Sequence, residues 1–155
     1  HDGDVQVTTD RDEGERLLAI RRSMHPAMAA LGTTLIEDVS VPRSAMPAMF
    51  DEIGRIEREF GLTIPTIAHA GDGNLHPNFV FEGPETPEHV WAAADELFRA
   101  AIALGGTLTG EHGIGTLKSR WLAAELGEDQ WQLQRDITRV FDPLGILNPG
   151  KVFHA

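Results

Sequence analysis

Cysteine is missing from this chain of 155 residues. That excludes disulfides, thiolate metal sites and cysteine nucleophiles, and it fits a reducing compartment. Positive charge is scarce: 13 Lys and Arg stand against 24 Asp and Glu, a formal net charge of −11. Such a surface repels phosphate backbones, so no nucleic-acid partner is expected. No apolar run approaches the ~20 residues that span a bilayer, and no signal peptide is visible, so no membrane span is expected. Internal repeats and low-complexity segments are absent too. The chain begins with His1 rather than Met, which points to a fragment or a processed product of a longer protein.

What is present amounts to about one ordinary domain. After a polar, frayed start over residues 1–10, apolar residues recur at helical spacing at Leu17, Ile20, Met24, Met28 and Leu31. Gly32 stops that helix. A strand is expected over residues 33–41, closed by Pro42. Ser44 is placed as the N-cap of a second helix with Met46, Met49, Phe50, Ile53, Ile56 and Phe60 on its apolar stripe, ended by Gly61. Strands follow over 62–70 and 75–81, a third helix over 87–104, a short strand over 106–109, and two short helices around 117–126 and 128–141. Strands alternate with helices, yet one connection is a tight hairpin. The fold class expected is therefore α+β, a mainly antiparallel sheet with helices packed on one face.

The most informative stretch is His69-Ala-Gly-Asp-Gly-Asn-Leu-His76. Asp72-Gly73 suits a two-residue hairpin turn, because both positions tolerate positive φ. With that turn, His69 and His76 lie directly opposite each other, their Cβ atoms ~4.5–5.5 Å apart. Asn78, two residues beyond His76, shares its face. Two nitrogens then stand within reach of one metal ion. Two solvated histidines flanking a polar turn are the other reading of the same residues.

Gly110-Glu-His-Gly-Ile-Gly115 follows an apolar strand. Three glycines in six residues allow unusual backbone angles and close approach of a ligand. On extended backbone Glu111 and His112 point opposite ways, so one can ligate a metal while the other faces a substrate. His69, His76 and Glu111 would then form a two-histidine, one-carboxylate site with an open position, the pattern of catalytic zinc. A phosphate-cradling loop is disfavoured: the spacing departs from G-x-G-x-x-G, and Glu111 repels phosphate. Arg21 falls within the apolar stripe of the first helix. It is either snorkelling at the stripe's edge or aimed at a carboxylate.

These two motifs, followed by Phe141-Asp-Pro-Leu-Gly-Ile-Leu-Asn-Pro-Gly-Lys151, occur in an order that resembles the C-terminal domain of the FAD-linked oxidases. That family, of ferredoxin-like type in this domain, includes the glycolate oxidase flavin subunit, D-lactate dehydrogenases and D-2-hydroxyglutarate dehydrogenase. The resemblance runs from about Arg21 to Phe153 and implies several roles. His69, His76 and Glu111 resemble ligands of a divalent metal, usually zinc. His112 resembles the catalytic histidine, Arg21 and Asn78 match positions that hold substrate, and Asn148 matches a position near the flavin.

The resemblance further implies that residues 1–155 form one substrate- and metal-binding domain. The FAD-binding domain that precedes it in the family is absent from this chain, which is expected to be inactive alone. The implied partners are a small D-2-hydroxy acid, the FAD-binding domain of the parent chain, and an electron-acceptor protein or quinone. A cytoplasmic location, peripheral to the membrane in the parent enzyme, goes with them. One departure bears on substrate: Ile36 stands where members acting on a C5 dicarboxylate place a Lys two residues before the strand Asp, here Asp38. That argues for a monocarboxylate such as lactate or glycolate, or a longer apolar 2-hydroxy acid. The rival reading is a metal-dependent hydrolase that uses the same His/His/Glu site with His112 as base.

Overall fold

In a computed structural model that describes residues 5–153, the chain runs α1 (Arg11–Arg22), α2 (Met24–Ala29), β1 (Thr33–Ile36), β2 (Val39–Ser40), a 3-10 turn (Arg43–Ala45), α3 (Met46–Phe60), β3 (Thr66–His69), β4 (Asn74–Phe81), α4 (Glu88–Ala103) and α5 (Ser119–Phe141). The expected α+β class holds. Strand β4 pairs antiparallel with β3 along one edge and with β1 and β2 along the other.

The expected single strand over 33–41 is two. Ile36 pairs with Asn78 and Val39 with Leu75, so β1 and β2 keep one register on β4. The ladder lapses between them opposite Pro77. The Glu37 N–H donates to the Pro77 carbonyl at 3.0 Å, but proline has no N–H to return the bond. The expected strand over 106–109 reduces to one bridge, Ser40 to Thr107.

Alternation along β4 sorts its two faces. Leu75, Phe79 and Phe81 join Leu35, Val39 and Val41 in the core. Against them pack Met46, Met49, Ile53 and Ile56 of α3 and Val90, Ala93, Ala94, Leu97, Phe98 and Ala101 of α4. Phe50, expected on the α3 stripe, is 43% exposed. Ser44 does not cap α3: it lies in the 3-10 turn, and Ala45 occupies the cap without a side-chain bond. Gly61 ends α3 at φ 64, a left-handed position that suits glycine.

The two C-terminal helices meet at Gly127, whose φ of 72 and ψ of 162 break the helical path. The first half docks through Trp121 and Leu122. Trp121 packs against Phe98, with ring centroids 4.3 Å apart and planes tilted by 48°, and donates its indole N–H to Asp95. The expected first helix is also two, broken at Ser23, and α1 buries no residue. Residues 1–4 of the expected frayed start lie outside the described residues. Asp10, placed in that start, instead caps α1 by accepting from the Glu13 N–H at 2.9 Å.

Candidate active site

The other face of β4 carries His76 and Asn78, and it opens into a cleft of about 390 Å³. Arg21, Arg22, His25, Ile36, His69, His76, Asn78, Glu111 and His112 are among its lining residues. Segments that are far apart in sequence thus meet at one place: the α1–α2 junction, the end of β1, the β3–β4 hairpin, and the glycine-rich loop.

The hairpin differs from its expected form. His69 pairs with Asn74, and His76 with Ile67, so the two histidines are diagonal neighbours rather than directly opposed. The turn is four residues long. Both the Asp72 and Gly73 N–H groups donate to the His69 carbonyl, at 3.2 and 3.1 Å. The Asp72 side chain accepts from the Asn74 N–H at 3.0 Å. Gly73 itself is committed elsewhere: its carbonyl accepts from Val41 N–H at 3.0 Å, and a Cβ there would lie 2.1 Å from the Val41 carbonyl oxygen. A shift of two residues preserves the face, so the imidazoles still converge, with centroids 5.2 Å apart and rings edge to face.

Glu111 comes in from the loop. Its Oε1 lies 3.0 Å from His76 Nε2 and 3.6 Å from His69 Nε2. One ligand atom from each of the three residues lies within 4.8 Å of the others. Donors bound at ~2.0–2.2 Å to one tetrahedral zinc sit roughly 3.3–3.5 Å apart, so these three residues could hold a divalent ion only by drawing closer together. Burial holds the His76 pKa below its ordinary value, against the opposing pull of Asp38. A neutral imidazole is the form that ligates.

Glu111 and His112 do not point opposite ways, as extended backbone would have them. Both line the cleft, with His112 Nε2 3.9 Å from Glu111 Oε1 and its ring stacked on His76 at 5.0 Å. The loop is curled rather than extended, because the successive N–H groups of Gly110, Glu111 and His112 all donate to one oxygen of Asp38.

Asn78 is 1% exposed. Its Nδ2 donates to the carbonyls of Pro65 and His76, at 3.1 and 2.7 Å. Its Oδ1 is buried without a partner. What Asn78 offers the cleft is therefore an acceptor for a hydroxyl, not a donor for a carboxylate. Arg21 lies on no buried stripe: α1 buries nothing, and Arg21 is exposed at the cleft mouth beside Arg22. Asn148 is not brought to this cleft; it lines a separate recess with Arg135, Arg139 and Lys151.

Asp38 and Lys118 were not foreseen as part of the site. Asp38 is fully buried, and burial would raise its carboxyl. The Thr109 hydroxyl and the amides of His112 and Glu111 outweigh that and lower it to about 2. Lys118, 3% exposed, donates to the backbone carbonyls of Asp38 and Leu108. The sequence signal was two acids, Glu37-Asp38, inside the otherwise uncharged strand segment Thr33–Val41. Uncompensated burial of two carboxylates is rare enough to ask what they hold.

The family described as FAD linked oxidases, C-terminal domain, matches residues 2–152. Glycolate oxidase subunit GlcD of Bacillus subtilis (strain 168) is 41% identical over 152 residues, covering 96% of this chain and 32% of that protein. A D-lactate dehydrogenase of Archaeoglobus fulgidus is 35% identical over 150 residues, covering 96% of this chain and 33% of its own length. D-lactate dehydrogenase [cytochrome] 1, mitochondrial, of Saccharomyces cerevisiae is 38% identical over 116 residues, 75% of this chain and 20% of that protein. The chain thus spans a third or less of these relatives.

Proposed function

The chain belongs to the C-terminal domain family of the FAD-linked oxidases, and from that premise we propose that it is the substrate- and metal-binding part of a flavin-dependent enzyme that oxidises a D-2-hydroxy acid to the 2-oxo acid. The observation that carries this reading is the meeting of His69, His76 and Glu111 in one cleft, with His112 beside them and two arginines at the mouth. In the parent enzyme a preceding FAD-binding domain holds most of the flavin, with Asn148 as this chain's contact to it. The further partner in this reading is an electron-acceptor protein or quinone.

Each residue has a task in this reading. His69, His76 and Glu111 hold the divalent metal, and the nitrogen-rich donor set suits zinc. When bound, the metal would supply Lewis acidity to a substrate oxygen and the flavin a hydride acceptor for C2. Arg21 pairs with the substrate carboxylate at the cleft mouth. Asn78 Oδ1 accepts from the 2-hydroxyl and orients it. His112 takes the hydroxyl proton as general base; its stacking on His76 keeps the ring over the ligand set. Ile36 places an apolar wall where a second substrate carboxylate would need a cation, which favours lactate- or glycolate-like substrates.

No feature of the cleft favours a hydrolase over this reading, and the family brings a flavin that hydrolysis does not need. Among the described residues no helix is long and apolar enough to cross a membrane.

Titration of the chain with Zn²⁺ against a chromophoric chelator tests the metal site. One equivalent should bind, and His76→Ala and Glu111→Ala should each weaken it by at least 10-fold. Equal affinity in both variants would remove the site.

A further inference from the structure

Asp38 is placed to do more than satisfy a loop. Its Oδ2 accepts from the Thr109 hydroxyl at 2.6 Å and from the N–H groups of Gly110, Glu111 and His112 at 2.9, 3.1 and 2.9 Å. Three successive amides aimed at one anionic oxygen form a backbone nest. The Thr109 hydroxyl that donates to Asp38 also accepts from the Gly113 N–H at 2.8 Å. Residues 109–113 are therefore wrapped around a single carboxylate. Lys118 closes the other side, with its Nζ 3.6 Å from Asp38 Oδ2.

The second oxygen of Asp38 points elsewhere. Oδ1 is buried and has no hydrogen-bond partner. It lies 4.0 Å from His76 Nδ1, while His76 Nε2 faces Glu111. The register explains this placement. Ile36 pairs with Asn78 and Val39 with Leu75, so Asp38 stands across from His76 on the cleft face, at the point where the β1–β2 ladder lapses. At that distance the pair is not hydrogen-bonded, but a buried anion on the Nδ1 side of the ring favours hydrogen on Nδ1, which leaves Nε2 free to ligate.

We propose that Asp38 is the positioning residue of this site, one oxygen shaping the loop that carries Glu111 and His112 and the other directing the His76 ring so that Nε2 faces the ligand centre. Its Oδ2 is hydrogen-bonded to the loop half, and its Oδ1 lies 4.0 Å from the strand half. The consequence for metal affinity rests on the metal-site reading above; the geometry does not.

The test compares the chain with Asp38→Asn, a variant of the same shape with only one acceptor oxygen, which cannot serve both the loop amides and the Nδ1 side of His76. Three readouts are taken: hydrogen exchange of the amides of Gly110, Glu111 and His112, the His76 ring tautomer by ¹⁵N NMR, and affinity for Co²⁺. In a variant that keeps its cooperative unfolding, the three amides should exchange at least 10-fold faster where the retained oxygen turns from the loop, and stay protected where it remains there with the amide NH2 facing His76. In the second case the share of His76 with hydrogen on Nδ1 should fall, and in both Co²⁺ affinity should fall about 10–100-fold, the usual cost of losing an outer-shell partner. If Asp38→Asn does not fold, the pair Thr109→Val and Thr109→Ser replaces it. Val should free the loop amides, and Ser, which keeps the hydroxyl, should restore their protection.

Failure of the parent chain to bind Co²⁺ would remove the metal reading alone. Amide protection and tautomer unchanged in folded Asp38→Asn, or protection unchanged in Thr109→Val where that variant does not fold, would overturn the proposal whatever the metal does.

Discussion

His76 and Asn78 project from a strand paired on both edges, and they are 9% and 1% exposed. Glu111 and His112 project from a glycine-rich loop, with side chains 52% and 47% exposed. The strand half is held by the sheet ladder and by the core on its far face, so its geometry is fixed by the same burial that stabilises the fold. The loop half buries almost nothing of its own. Its shape comes from four hydrogen bonds to one carboxylate, a local and polar form of order. An arrangement of this kind lets the loop residues meet substrate and solvent while the strand residues stay put.

The largest effect should come from the loop half. In an enzyme that also carries the flavin-binding portion, His112→Ala should lower kcat and kcat/KM together by ~10²–10⁴-fold with flavin content unchanged, the usual cost of losing a general base. Arg21→Ala should act mainly through KM if, as proposed, Arg21 at the exposed mouth pairs with a carboxylate that is present in the ground state. Steady-state kinetics across pH separates the two. A near-normal kcat for His112→Ala at every pH would assign the proton to another acceptor and make the loop a binding element only.

A pair of glycine substitutions sharpens the contrast. At Gly73 a Cβ would come within 2.1 Å of a backbone carbonyl oxygen, at φ 85; at Gly113, φ 79, it would meet nothing within 4 Å. Gly73→Ala adds a clash to the left-handed strain, so it should cost roughly 2–4 kcal/mol and move the hairpin. Gly113→Ala should cost only about 1 kcal/mol, the strain alone. Urea unfolding gives both numbers. Equal losses would mean that the hairpin yields as easily as the loop, and the division between a rigid half and an adaptable half would fall.

Much of this was legible in the sequence, and the exceptions have physical causes. The core faces of α3 and β4 follow from apolar periodicity, and His69, His76 and Glu111 do come together. The hairpin register was missed by two residues because Gly73 is bonded to Val41, 32 positions earlier in the chain, a tertiary demand that outweighs local turn preference. Two is an even number, so the error left both histidines on the right face. The direction of Glu111 and His112 was missed because it depends on Asp38, about 70 residues away, and no spacing rule conveys that contact. The apolar positions of α1 suggested a buried stripe, but among the described residues the helix finds no surface to cover it. Pattern reports what a helix can bury, not whether its partner is present.

Glu37 offers the finest test, because it lies beside the anchor of the loop half without touching the ligands. It is fully buried, neither carboxylate oxygen has a hydrogen bond, and Lys118 Nζ is 3.9 Å away. Burial pushes its carboxyl up from 4.5 to about 7, against the pull of Lys118. The folded value exceeds the unfolded one, so the sign is fixed. Below about pH 4.5 the group is protonated in both states and costs nothing. Between about 4.5 and 7 the unfolded chain releases the proton more readily, so stability falls as pH rises; above 7 the penalty is constant. Glu37→Gln removes the charge while keeping the shape. It should therefore stabilise the chain by about 1–3 kcal/mol at pH 8 and leave it unchanged at pH 4, the upper end being what a shift of that size permits. Denaturant unfolding of parent and variant at the two pH values isolates this residue, since every other titration is common to both. A gain equal at both pH values would show that Glu37 ionises normally in the fold. Lys118 would then be neutralised by two carboxylates, and its hold on the Asp38 loop would be weaker than the burial of Glu37 implies.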